Sequence, residues 1–200
     1  MEHELLHQER ARSGVRSWHQ DATYWGLSEP NVLTAWVAFT DATVANGAMR
    51  MVPGSHAEQL AHRDRFAPHN LLSRGQEIAV DVDETRGVDI VLRAGEMSLH
   101  DVRMVHGSPP NRSDDRRIGF AIRYIATSVK QLAGERDGAM LVRGVDDFHH
   151  FAPERPPTTS LRKRARITQK RWRARGRFSI VSNWGAPGAP QAPQASVPPA

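Results

Sequence analysis

Residues 99–124 read LHDVRMVHGSPPNRSDDRRIGFAIRY. Two strand-like runs, over 97–106 and 116–125, flank the breaker Pro109-Pro110-Asn111. In the second run Arg117, Gly119, Ala121 and Arg123 share one face by parity, and Ile118, Phe120, Ile122 and Tyr124 share the other. The apolar face is expected to pack on a second layer. Further strands are expected at 31–40 (NVLTAWVAFT), 48–52, 77–82 and 88–92. Asn46-Gly47 marks a tight turn before the returning strand 48–52, and Pro53-Gly54-Ser55 ends it. Short strands at this spacing predict a barrel or sandwich, not alternating βαβ units. A short helix is expected within 1–17, and a long polar surface loop over 56–76.

The 200 residues suit one domain with a core of its own. No apolar run reaches the roughly 18 residues of a membrane span, and the charged first residues show no signal peptide. A cytoplasmic location is expected. There is no cysteine, so disulfides, thiolate metal sites and cysteine nucleophiles are excluded. Any metal is held by nitrogen and oxygen. From Arg155 onward there are ten Lys/Arg and no acid, whereas residues 1–154 carry 17 basic and 22 acidic residues. The high pI thus belongs to the tail, and neither nucleic acid nor membrane is an expected partner. Two regions follow: a domain over 1–157, and a basic then Pro/Ala-rich tail over 158–200, with a helix near 161–175 and disorder beyond 185.

Chemistry concentrates in two places. His19-Gln20-Asp21 puts an imidazole and a carboxylate at i and i+2, on one face if the segment is a strand. His106 offers a third ligand at the end of a strand. Two histidines and one carboxylate leave three positions of an octahedral metal open, the facial triad of non-haem Fe(II) oxygenases. His100 is a rival on the same face, but the His106-Gly107-Ser108 context favours His106. Arg117 lies eleven residues after His106 beside small residues, and its guanidinium fits a carboxylate. A metal with open positions and a nearby cation suit 2-oxoglutarate, whose keto acid chelates metal and whose far carboxylate needs a partner. Arg116 and Arg123 are alternative anchors, and Arg123 also faces the pocket, where it can meet an acidic substrate. His56 is expected to be a turn element; His69, His149 and His150 lack partners at ligand spacing.

WHQDATYWGL (18–27), LTAWVAFTDATVANGAMRMVPGSH (33–56) and residues 99–124 together resemble the phytanoyl-CoA dioxygenase family of Fe(II)/2-oxoglutarate oxygenases. The resemblance runs from about Trp18 to Arg155. It implies a mainly β fold, a double-stranded β-helix of the jelly-roll, cupin-like kind, with some helix. It implies Fe(II) held by His19, Asp21 and His106. It implies 2-oxoglutarate held by Arg117 and Ser108, with Trp36 lining the pocket and Tyr24 near the cosubstrate. The implied activity is hydroxylation of a small molecule with O2, releasing succinate and CO2, with ascorbate as reductant. The family carries on the order of a hundred residues before H-x-D where this chain has eighteen, so an incomplete N-terminus is expected. Two other readings stand beside this one. The first is a truncated remnant that binds metal weakly or acts through its basic tail. The second is a cupin that does not use 2-oxoglutarate, against which the Arg117 niche argues.

Overall fold

The computed structural model describes residues 4–8, 16–64, 76–78, 82–132 and 136–154. The expected tail, and the helix within it, lie outside these residues. Two four-stranded antiparallel sheets form the body. One runs in the order β1 (Glu4–Gln8), β10 (Arg117–Ile125), β3 (Val32–Ala38), β8 (Met97–Asp101). The other runs β2 (Arg16–His19), β9 (His106–Ser108), β4 (Arg50–Met51), β7 (Val88–Asp89). The chain changes sheet from β1 to β2, β2 to β3, β3 to β4, β7 to β8, β8 to β9 and β9 to β10. That alternation is the winding of a double-stranded β-helix, a jelly roll. Two two-stranded ribbons lie beside it: β5 (His62–Asp64) with β6 (Gln76–Ile78), and β11 (Gly138–Ala139) with β12 (Ala152–Pro153).

The central pair β3/β10 follows its sequence pattern. Trp36 sits opposite Ala121 and Thr34 opposite Arg123, all facing inward. Trp36, Ala38, Ala42, Ala48, Met49, Met51 and Ala121 form one buried cluster between the sheets. A second cluster joins Leu27, Val32, Val102 and Val129, and a third Val52, Ile78 and Val105. Each fully buried valine contributes on the order of 1.5–2 kcal/mol by leaving water.

Several expectations need correction. The inner face of β10 is the one with Arg117, Gly119 and Ala121, which are buried; Ile118, Phe120 and Ile122 are half-buried and Tyr124 exposed on the outer face. The arginine face thus lines the pocket as expected, but the apolar face is the outer one and is only half-covered, with Phe120 stacked on Phe39 at 5.9 Å. Residues 4–8 form a strand, not a helix, because β10 offers them an edge. β4 does not return along β3 but joins the other sheet. Asn46 enforces this: its Oδ1 accepts from the Thr43 N–H at 2.8 Å and its Nδ2 donates to the Asp41 carbonyl at 2.8 Å. These bonds, with Gly47 at φ 80°, close a loop that carries the chain across. The polar segment after residue 56 is not all loop, since His62–Asp64 pairs with Gln76–Ile78. The run 97–106 breaks between β8 and β9, with the Met104 N–H donating to the Asp101 carbonyl at 2.9 Å. His100 and His106 therefore belong to different sheets, and their parity relation does not hold.

Candidate metal centre and its pocket

β2 and β9 pair antiparallel with His19 directly opposite His106. This register brings the two imidazoles together, with ring centroids 4.2 Å apart. The sequence expectation placed Asp21 on the same strand. Instead β2 ends at His19, and Asp21 caps the short helix α1 (Ala22–Trp25) with helical angles, φ −58° and ψ −33°. The turn swings the carboxylate back: Asp21 Oδ1 lies 3.6 Å from His19 Nε2 and 3.9 Å from His106 Nε2. One ligand atom from each of the three falls within 4.8 Å of the others, the one such cluster among the described residues.

Hydrogen bonds set the histidine tautomers. His19 Nδ1 meets the Ser17 carbonyl at 2.7 Å and His106 Nδ1 meets the Met104 carbonyl at 2.9 Å. A carbonyl only accepts, so Nδ1 carries the proton and the Nε2 lone pair faces the cluster. Burial, and next the charge of His19, push His106 down to about 3, which keeps it neutral. Burial opposes ionisation of Asp21, but the facing His19 and His106 rings, when protonated in the metal-free chain, and the Arg123 charge outweigh it and hold the carboxyl well below its usual range. A neutral His106 and an ionised Asp21 are the forms a metal requires of these two residues. A cluster of two nitrogens and one oxygen on one side fits a divalent transition ion with open positions.

Ser108 lies two residues after His106 on β9, and so faces the same side about 7 Å along the strand. Arg117 Nη2 donates to Ser108 Oγ at 3.3 Å, both residues being buried. The Arg117 guanidinium stands over the Trp36 ring, 5.5 Å from its centroid. The Trp36 indole fits because residue 119 is glycine: a Cβ there would collide with the ring. Buried Trp36 Nε1 and Ser98 Oγ, neighbours across β3 and β8, have no hydrogen-bond partner. Orphaned buried polar atoms beside a cation fit an absent polar guest. Tyr24 meets His19 edge-on at 5.8 Å. Arg116 is exposed ahead of β10, and His100 stands outside the triad with its ring 5.5 Å from His106.

The sequence reading missed Gln20 and His62. Gln20 is fully buried. Its Nε2 donates to the Glu58 and Arg103 carbonyls at 2.7 and 2.6 Å, and its Oε1 accepts from the Leu60 N–H at 2.7 Å. His62 Nε2 accepts the Gln20 backbone N–H at 2.9 Å, while its Nδ1 meets the Leu60 carbonyl at 2.9 Å. The partners of Gln20 lie 38 to 83 residues away in sequence, so local spacing carried no signal of them. His56 lies exposed in the 3-10 turn Ser55–Ala57. His149 is exposed, His150 half-buried, and His69 outside the described residues.

Residues 2–119 match the family model described as phytanoyl-CoA dioxygenase. The chain is 33% identical over 122 residues to a probable alpha-ketoglutarate-dependent hypophosphite dioxygenase of Stutzerimonas stutzeri, covering 58% of this chain and 42% of that protein. It is 36% identical over 113 residues to phytanoyl-CoA dioxygenase domain-containing protein 1 of Rattus norvegicus, covering 54% and 38%. Among solved structures, the non-heme monooxygenase ThoJ in its apo form superposes with a TM-score of 0.72 at 40% identity, over 86% of this chain and 63% of that one. EvdO2 of Micromonospora carbonacea var. aurantiaca, complexed with 2-oxoglutarate, superposes with a TM-score of 0.53 at 25% identity, over 65% and 54%. The chain thus spans about two fifths of the length of these curated relatives. The family model takes in more than half of the 200 residues, and the chain belongs to the phytanoyl-CoA dioxygenase family.

Proposed function

We propose that this chain is the catalytic core of an Fe(II)- and 2-oxoglutarate-dependent dioxygenase that hydroxylates a small molecule. The observation that carries the reading is the meeting of His19, Asp21 and His106 within 4.8 Å, beside the buried Arg117–Ser108 pair. In this reading the three residues hold Fe(II), with both Nδ1–H groups anchored on backbone carbonyls. Arg117 and Ser108 hold the far carboxylate of 2-oxoglutarate, with Trp36 as one wall and Tyr24 near the cosubstrate. Bound together, Fe(II), 2-oxoglutarate and O2 supply the oxidation of a C–H bond, with one oxygen entering the substrate and succinate and CO2 released. The chain contributes position and shielding: the buried arginine orients the keto acid, and the apolar cluster around Trp36 keeps water from the pocket.

Asp21 bears on the outcome. Its carboxylate takes a metal position that a halide would otherwise need, and its charge repels chloride. The proposed outcome is therefore hydroxylation, not chlorination.

The test is succinate release with Fe(II), ascorbate and 2-oxoglutarate against a panel of small substrates. Hypophosphite is included because one relative is named for it. The expected result is substrate-dependent succinate with a mass gain of one oxygen. A chlorinated product in excess chloride, or no succinate above the metal-free control with any substrate, overturns the reading.

A further inference from the structure

Beyond the residues already given a role, one inward row of the large sheet remains. Antiparallel register places Thr34 on β3 between Arg123 on β10 and His100 on β8. All three share the face that carries Trp36 and Arg117, so they open toward the space between the sheets. Thr34 is 2% and His100 5% exposed. Thr34 Oγ1 and His100 Nδ1 are shielded from solvent and have no hydrogen-bond partner. Buried polar atoms of native proteins are nearly always paired, so two orphans side by side on adjacent strands mark a place where a guest supplies the partner.

The guest's chemistry follows from what the row offers. Arg123 has its guanidinium 5.1 Å from the Trp25 ring centroid, which fixes it at the helix α1 end of the pocket. Its charge acts on both Asp21 and His100, so it stands near the metal triad. A guanidinium has five N–H donors and no acceptor. The Thr34 hydroxyl and a neutral His100 imidazole can each add a donor. Adjacent strands lie about 4.8 Å apart, so the three donors form an arc about 10 Å wide. A convergent set of donors with one fixed positive charge matches a group of acceptor oxygens carrying negative charge. The Arg117–Ser108 pair cannot be the same subsite. Arg117 and Arg123 lie six residues apart on one strand, about 20 Å at full extension.

We propose that Arg123, Thr34 and His100 form the subsite that binds an oxyanion of the primary substrate, a carboxylate or a phosphorus oxyanion, and so holds its reacting carbon at the metal. The inference rests on the metal and cosubstrate assignment above and adds the class of substrate to it.

The probes are acetate and inorganic phosphate, with dimethyl sulfone as the neutral control. Each is titrated calorimetrically into the chain loaded with Mn(II) and saturating 2-oxoglutarate, so that Arg117 is already occupied. The unmodified chain is expected to bind at least one of the two anions and not the sulfone; which anion it prefers distinguishes the two sources. Arg123→Leu should weaken that binding by about 10- to 100-fold, the range for a lost hydrogen bond to a charged group. Arg123→Lys should restore most of it. Thr34→Val, close to isosteric, should weaken it by less. All three variants should keep the affinity for 2-oxoglutarate, which also shows that they are folded. No anion binding by the unmodified chain, equal binding of the sulfone, or insensitivity to both Arg123→Leu and Thr34→Val overturns the proposal. If the chain does not take up 2-oxoglutarate at all, the assignment of the cosubstrate site fails. The same titrations on the metal-free Arg117→Leu chain then decide the oxyanion subsite on its own.

Discussion

At the scale of single residues, the division of labour among three histidines decides where a metal goes. His19 and His106 have Nδ1 tied to a carbonyl and Nε2 turned to Asp21. His100, although buried 5.5 Å from His106, lies outside the cluster. His106→Ala is expected to abolish Mn(II) or Fe(II) binding in a calorimetric titration, while His100→Ala largely spares it; the reverse pattern would move the distal ligand to His100. The proposed cosubstrate anchor, Arg117, is a separate residue with a separate signature. Arg117→Leu leaves a bound carboxylate without its buried cation, a loss of about 2–5 kcal/mol. That corresponds to roughly 30- to 4000-fold weaker 2-oxoglutarate binding, with metal binding retained. The residue types at 19, 21, 106 and 117 were legible because such chemistry admits few side chains. The role of Gln20 was not, because its identity matters only through backbone groups that arrive from distant loops.

At the scale of elements, two contacts hold the pocket in shape. Gln20 pins the loops at 58–60 and 103 to the turn that carries Asp21. Gln20→Leu removes all three hydrogen bonds and strands their partners. It is expected to cost about 2–4 kcal/mol in urea unfolding and to weaken metal binding, because the Asp21 turn loses its brace. The second contact is the packing of β10 on β3, where Gly119 admits the Trp36 ring. Gly119→Ala forces the indole aside under Arg117. About 1–3 kcal/mol of overpacking is expected, with a fall in 2-oxoglutarate affinity and no change in metal affinity; unchanged binding and melting would show that Trp36 has room to move. Sequence parity identified the faces of β10 and which of them lines the pocket, but not that the apolar face stays partly open instead of packing on a second layer. Parity assigns residues to sides; only the second sheet says which side is the core.

At the scale of the molecule, the fold buries, wholly or in part, imidazoles that an unfolded chain would expose. Unfolded histidines titrate near 6.5. In the fold, burial lowers His62 and His100, and burial together with the His19 charge takes His106 to about 3. Between 6.5 and about 3 the unfolded chain therefore holds more protons than the folded one, so stability falls as pH falls through that window. The metal-free chain should show a lower urea midpoint at about pH 5 than at about pH 7.5. His62→Asn should flatten part of that dependence, since an amide in the same place does not titrate. A midpoint independent of pH would mean that these rings are not buried as neutral groups. The outer face of the large sheet is a further molecular feature, with Leu33, Phe39, Met97, Leu99 and Tyr124 all exposed.

The sequence by itself determined the fold class, the family and the list of chemically capable residues. Strand periodicity and turn residues are local signals, and a facial triad needs particular side chains wherever it is built. The sequence also carried the division between an acidic body and a basic tail. Only the tertiary structure decided how those residues meet. Cross-strand register put His19 opposite His106. A helical turn, not a continued strand, delivered Asp21. The break after β8 separated His100 from His106, and the crossing of β4 to the other sheet closed the pocket. The orphaned pair Thr34 and His100 emerged in the same way. Each of these results depends on which strand lies next to which, and pairing is settled by burial and hydrogen bonding between segments far apart in the chain, which no local pattern encodes.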